Sequence, residues 1–345
     1  MRREEPLIIS VVMPTYNTPV PLLQEATESI LGQTLRDFEF IIVDDGSTNE
    51  STEYLLGLKD PRIRLIRNES NLGITRSLNI GFRAAQGKYV ARMDSDDVSL
   101  PTRLEKQYAF METHPDAIVC GARTVDYGKS LNVRKVPYES REDYRIRMLF
   151  ANPGPAHATA FFDREKLVQH HLAYDEQLIY AQDYGMWTSV VEYGEVVVLP
   201  EVLLYHRSHP DQISKAHRQK QIECDKLTQG RLLRALLGEV SKEEIDRHYL
   251  LSTGYYKNNR IDTTVLNWYR RLIEANDRKG IYDKKRFRRY VYRVIIPRVA
   301  AQSFGANMSY LQKSVCLFRA LPFPLALQTV IGAGAKKLLH LAGGR

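Results

Sequence analysis

Three carboxylates fall within four residues at Asp94, Asp96 and Asp97, directly after an apolar run from Tyr89 to Met93. The run predicts a buried strand. In an extended segment, side chains two apart share a face, so Asp94 and Asp96 point together from the strand's carboxyl end. Crowded carboxylates repel one another and desolvate badly, so a core strand ending this way calls for a neutralising cation. Ligands of open α/β sheets gather at that edge, and hard oxygen donors there suit Mg²⁺ or Mn²⁺ carrying substrate phosphates. The same residues also suit a turn and N-cap before a helix starting near Pro101. An isolated D-x-D does not choose between the two.

A second acidic strand end narrows the choice. Phe38 to Val43 reads as a strand closing on Asp44 and Asp45. Two acidic strand ends, expected on neighbouring strands facing one crevice, are hard to explain as capping. Repulsion among four carboxylates costs several kcal/mol unless a cation or hydrogen-bond donors offset it. A division of labour follows, in which Asp44 or Asp45 accepts from an N–H of a nucleobase while Asp96 holds the metal. Arg76 and Arg92 either bring positive charge to a diphosphate or are ordinary surface arginines.

The elements that position these groups alternate. Leu7 to Met13 is a β-branched apolar run, hence a first buried strand. Leu22, Leu23, Ala26, Ile30 and Leu31 then form a helical stripe. Strands at Phe38 and at Ile63 to Arg67 follow, then a helix from Thr75 to Ala85 and the strand at Tyr89. Such alternation predicts an α/β fold with a mostly parallel central sheet flanked by helices. Farther on, the pattern predicts a helix from Arg103 to Thr113, a strand at Ala117 to Cys120 and an irregular stretch through Asn152 to His157. A helix from Gln182 to Tyr193 and short strands at Glu195 to Leu199 and Val202 to Tyr205 come next. Beyond about Gln219 the reading is helical almost throughout.

At 345 residues, with 43% hydrophobic and 26% charged residues, the chain suits one large domain with an appendage and excludes a disordered or collagenous class. The expected division is a catalytic domain at 1–218 and a basic helical region at 219–345. Three scattered cysteines, Cys120, Cys224 and Cys316, form no C-x-x-C or zinc pattern and favour a reducing cytoplasm. The start runs into a strand rather than a signal-peptide apolar region, and no run of about 18 apolar residues is present. The net charge of +8 is unevenly spread: Arg278 to Arg345 carries 14 Lys/Arg against one acid, Asp283, which leaves Met1 to Asp277 at −5.

Four segments occur in order: Val12-Met-Pro-Thr-Tyr-Asn17, Ile42-Val-Asp-Asp-Gly-Ser47, Asn71-Leu-Gly-Ile-Thr-Arg76 and Met93-Asp-Ser-Asp-Asp97. Together they resemble family 2 glycosyltransferases of the GT-A fold, non-processive bacterial members in particular, over roughly Leu7 to Ser214. The resemblance implies a nucleoside site, usually for uridine, at Pro14, Thr15, Tyr16, Asn17 and one of Asp44 or Asp45. Arg76, Asp94 and Ser95 belong with the donor, and Asp96 lies nearest the metal on the diphosphate. The family's base sits in a Glu-Asp pair opening a helix. The matching segment is Ala181-Gln-Asp-Tyr-Gly-Met-Trp187, so Asp183 takes the base's part and Gln182 departs from the usual Glu. His206-Arg-Ser-His209 with Gln212-Ile-Ser214 is similar to the family's aromatic-Arg-x-His…Gln-x-Ser segment. His209 there completes the metal site or touches the diphosphate, His206 stands in the aromatic's place, and His157 falls in a loop that faces the acceptor.

The implied chemistry is inverting transfer of a hexose or N-acetylhexosamine from a nucleotide sugar, a UDP-sugar foremost, with Mn²⁺ or Mg²⁺. The acceptor is a glycan or lipid-linked hydroxyl in bacterial surface polysaccharide synthesis. A divalent cation stabilises the leaving diphosphate, and one carboxylate takes the acceptor's proton. No Q-x-x-R-W segment follows the base, which argues against a processive synthase. The rivals are an inactive sugar-nucleotide-binding or scaffold subunit and a sugar-nucleotide pyrophosphorylase, for which Pro14 to Asn17 supplies no Gly-rich triphosphate loop. The basic segments from Lys284 onward suit an anionic membrane surface, and the resemblance implies peripheral docking on the inner face of the cell membrane. The alternatives there are a solvated basic face or a homo-oligomer contact. Nothing resembles a nucleic-acid reading motif.

Overall fold

The computed structural model describes residues 7–127, 140–207, 217–253 and 263–292. The chain divides into two compact units, Met1–Tyr144 with Asn152–Asp225, and Arg145–Ala151 with Lys226–Arg345.

The first unit is built on an eight-stranded sheet. Its strands are β1 (Ile9–Thr15), β2 (Phe38–Asp44), β3 (Ile63–Arg67), β4 (Tyr89–Arg92), β5 (Val98–Ser99), β6 (Ala117–Asp126), β7 (Phe161–Asp163) and β8 (Glu195–His206). Their spatial order is β3-β2-β1-β4-β7-β6-β8-β5. The first four pair in parallel, with Thr15 opposite Asp44 and Val12 opposite Arg92. β7 runs antiparallel to β4 and β6, β6 and β8 are parallel, and β5 is antiparallel to β8.

All seven residues of β1 are buried, as expected where helices cover both faces of a sheet. Alternation sorts them. Val11 and Met13 pack with Leu23, Ala26 and Ile30 of α1 (Val20–Leu31) and Leu104 of α4 (Arg103–Thr113). Val12 packs on the other face with Ile41, Val43 and Val90, against Ile80, Phe82 and Ala84 of α3 (Ile74–Ala84). The parallel sheet and its helices are therefore as the sequence predicts. α2 (Ser51–Gly57) fills the crossover between β2 and β3.

The second half of the sheet differs from expectation. The strand at Ala117 runs on to Asp126, and the two short strands after Glu195 are one twelve-residue strand with register shifts against β6. The helix that opens at Gln182, α7 (Gln182–Val190), stops short of Tyr193. The stretch around Asn152 to His157 holds a 3₁₀ turn at His157–Thr159 and leads into β7; α5 (Arg141–Met148) precedes it and α6 (Arg164–Gln169) follows. β7 has only three residues and β5 two, too few for a periodic signal.

The second unit is helical. Its core joins Ile146, Leu149 and Phe150 to residues of α8 (Arg218–Leu237), α9 (Lys242–Thr253), α10 (Thr263–Lys279) and α11 (Lys284–Tyr290), among them Leu233, Leu251, Trp268, Leu272 and Phe287. The division from the first unit falls inside α8, between Asp225 and Lys226. Among the described residues, no helix is long and apolar enough to cross a membrane.

Candidate active site

Parallel strands bring the carboxyl ends of β2, β1 and β4 to one edge. The two acidic ends are not on neighbouring strands, because β1 lies between β2 and β4. The hydroxyl row at the end of β1 spans that gap: Thr15 Oγ1 donates to Thr18 Oγ1 at 3.0 Å, and Thr18 and Ser95 hydroxyls meet at 2.8 Å.

The two candidate base readers separate clearly. Asp45 is spent on structure. Its Oδ1 accepts from Asn68 Nδ2 and from the Leu72 N–H, both at 2.8 Å, and its Oδ2 accepts from the Gly73 N–H at 2.9 Å. Asp44, 1% exposed, accepts from the Ser47 N–H at 2.9 Å through Oδ1. Its Oδ2 lies 3.3 Å from Arg67 Nε and has no hydrogen-bond partner. Asp44 thus keeps acceptor capacity that Asp45 lacks. Between them and Ser47, Gly46 turns at φ 73°, and a Cβ there would meet Ser70 backbone at 2.6 Å.

Tyr16 is 46% exposed beside this turn, with its ring free to cover a planar group. Asn17 adopts φ 50°, held by its N–H donating to Ser47 Oγ at 2.9 Å and its Oδ1 accepting from the Thr48 N–H at 2.8 Å. Pro14 is buried within β1. Arg76, in the first turn of α3, pairs with Glu176 at 2.9 Å. Arg92 is neither a surface arginine nor open to a diphosphate: its side chain is 3% exposed and both terminal nitrogens pair with Asp94.

One carboxylate oxygen each from Asp94, Asp96 and Asp97 lies within 4.8 Å of the other two. Asp97 Oδ1 accepts from the Arg207 N–H at 2.9 Å, while its Oδ2 is buried with no hydrogen-bond partner. Burial pushes the Asp97 carboxyl well up, with the charges of Asp94 and Asp96 adding. Burial also raises that of Asp94, against the opposing charge of Arg92. An all-oxygen donor set with one orphaned buried oxygen fits a hard divalent cation.

His209 lies outside the described residues. Just before it, His206 Nδ1 is 3.2 Å from Asp126 Oδ1, and Arg207 pairs with Glu25 and covers the Tyr127 ring at 4.6 Å.

Asp183 stands in the first turn of α7, with Oδ2 accepting from Asn152 Nδ2 at 2.9 Å. Burial raises its carboxyl above the ordinary aspartate range, and the Asn152 hydrogen bond opposes that rise. Gln182 Oε1 is buried with no hydrogen-bond partner. His157 Nε2 meets Tyr174 Oη at 2.8 Å, its ring lies edge-on to Trp187, and burial holds it neutral. Asp225 on α8 feels the charge of Asp183, and burial pushes its carboxyl up to about 7. Sequence reasoning missed Asn152, Glu176 and Asp225 as neighbours of the site. Asp225 carries no local motif and sits in a helix assigned to the appendage.

Residues 10–170 match the family described as Glycosyl transferase family 2. An uncharacterised glycosyltransferase of Methanocaldococcus jannaschii is 35% identical over 62% of this chain and 76% of its own. The amylovoran biosynthesis glycosyltransferase AmsE of Erwinia amylovora is 31% identical over 60% of this chain and 79% of its own. Among solved structures, S. aureus TarS 1-349 in complex with UDP-GlcNAc aligns with TM-score 0.56 at 17% identity, over 95% of this chain and 92% of its own. A mannosyltransferase from Pyrobaculum calidifontis in complex with GDP-Man and Mn²⁺ aligns with TM-score 0.53 at 16% identity, over 88% and 84%. The chain belongs to glycosyl transferase family 2 and has the GT-A fold. It is a glycosyltransferase.

Proposed function

We propose that this enzyme transfers a hexose or N-acetylhexosamine from a UDP-sugar to a hydroxyl of a glycan or lipid-linked acceptor, by single displacement with inversion. The observation that carries this reading is the meeting of three carboxylate oxygens at the strand edge that also holds Asp44. Tyr16 covers the base, and Asp44 Oδ2 accepts its N–H. Asp96 and Asp97 hold the divalent ion, which supplies charge stabilisation to the departing diphosphate. His209 is the further candidate for that site. Asp183 takes the acceptor proton, and its raised pKa brings a weak base closer to working pH. With Asp183 as the base on the face opposite the leaving group, a single displacement inverts the anomeric configuration.

The relatives support the setting: AmsE is named for amylovoran biosynthesis, TarS was solved with UDP-GlcNAc, and the mannosyltransferase with GDP-Man and Mn²⁺. The catalytic part is 1–218. Region 219–345 docks on the inner face of the membrane, with Lys284, Lys285, Arg288 and Arg289 exposed on α11 around a buried Phe287.

The test is turnover with UDP-, GDP- and dTDP-sugars, with Mn²⁺ or Mg²⁺ and with EDTA. One donor is expected to turn over and to stop with EDTA. Asp183→Asn is expected to lower kcat roughly 10²- to 10⁴-fold with little change in KM. UDP binding without turnover of any donor on any acceptor would favour a binding subunit.

A further inference from the structure

The acid cluster already contains a cation. Both terminal nitrogens of Arg92 pair with the two oxygens of Asp94, which is itself 29% exposed. The Arg92 side chain is 3% exposed, and its main chain is fixed on both sides. Its N–H donates to the Ala160 carbonyl at 2.8 Å, and its own carbonyl accepts from Arg103 Nη2 at 2.6 Å. Arg103 is fully buried and is held in turn. Its Nε donates to Gln107 Oε1 at 3.0 Å, and Gln107 Nε2 donates to the carbonyls of Cys120 and Thr159. A guanidinium fork on both oxygens of a carboxylate is a strong, directional pairing that a lysine does not reproduce.

We propose that Arg92 is a resident counter-cation that takes Asp94 out of metal coordination, leaves Asp96 and Asp97 to hold the divalent ion, and thereby sets how tightly that ion binds. The proposal rests on the metal reading above. Ionised as ligands, three carboxylates around one site carry −3; with Arg92 in contact they carry −2. The smaller charge keeps the cluster assembled without an ion and lowers its pull on one. The ion's remaining charge and ligands then come from the nucleotide diphosphate, so ion and donor arrive and leave together. Arg92 is a positioning residue, acting through Asp94 rather than on the substrate.

The experiment is titration of Mn²⁺ alone into the full chain, following the paramagnetic resonance signal of the free ion. Arg92→Gln and Arg92→Met are expected to tighten Mn²⁺ binding by about tenfold, equivalent to about 1.4 kcal/mol. Asp94→Asn, which leaves the guanidinium unpaired beside the ion, is expected to weaken it by a similar factor. The double variant Arg92→Gln/Asp94→Asn returns close to the wild-type affinity, and Arg92→Lys, which keeps the charge but not the fork, falls between wild type and Arg92→Gln. A double variant that binds as weakly as Asp94→Asn would make Asp94 a direct ligand and overturn the proposal. So would unchanged affinity in both Arg92 variants. Loss of binding in Asp96→Asn alongside either result leaves the metal reading standing. Absence of Mn²⁺ binding in the wild type would remove both.

Discussion

A carboxylate buried at the start of a helix holds its proton more tightly than one in water, and the amide of Asn152 works against that at Asp183. Asn152→Ala removes the donor, so the Asp183 pKa rises further. The active form of a base is the deprotonated one, so the acid limb of the kcat/KM profile moves to higher pH. A pH–rate profile for the two enzymes checks this; coincident acid limbs would take Asp183 out of the base's role. Asp183 stood out as a candidate because a motif surrounds it, as did Asp94 and Asp96 at the end of an apolar run. Asn152 was not, because it meets Asp183 across 31 residues of chain. Nor did the pair Asp44-Asp45 reveal which member keeps an oxygen without a hydrogen-bond partner. That depends on the loop from Asn68 to Gly73, which folds back onto Asp45 alone.

At the scale of elements, the parallel half of the sheet was readable because β1, β2 and β4 are buried apolar runs and α1 and α3 each carry a stripe. The antiparallel insertion of β7 was not, since three residues pair on both sides without any period of their own. Among the helices of the second unit, His248 on α9 bridges two partners. Its Nε2–H donates to the Leu149 carbonyl at 2.7 Å, and its Nδ1 accepts from Trp268 Nε1 on α10 at 3.2 Å. The Trp268 contact needs the neutral ring, since Nδ1 must be unprotonated to accept, and burial lowers the pKa to about 4, against the Leu149 hydrogen bond. Between that value and the ordinary 6.5, the unfolded chain binds a proton that the folded one refuses. Stability of this unit is therefore flat above pH 6.5 and falls as pH drops toward 4, by roughly 3 kcal/mol in all. Denaturant melts of wild type and His248→Gln, followed by Trp268 fluorescence, are expected to show that slope only in the wild type.

For the whole molecule, the uneven charge is the feature with a consequence for location. On the proposed docking, an anionic bilayer repels the mildly acidic body and attracts the basic C-terminal region. Each Lys or Arg near such a surface contributes about 1 kcal/mol. Lys284→Gln/Lys285→Gln/Arg289→Gln is therefore expected to weaken co-sedimentation with phosphatidylglycerol vesicles roughly 100-fold, with neutral vesicles binding neither form. Equal sedimentation with neutral vesicles would replace the electrostatic account. The charge asymmetry was plain in the sequence; the exposure of those cations around a buried Phe287 needed the fold.

The N–H of Arg207 closes on Asp97 across 110 residues, and β5, directly after the acid cluster, pairs with β8. A ribosome that has passed Asp97 has made every carboxylate of that cluster but neither of these fixings, which arrive only with the chain near Leu204 to Arg207. Emerging chains therefore carry an unassembled acid cluster through the synthesis of more than a hundred residues. On the proposed metal reading, the site is complete only once β8 has been laid in.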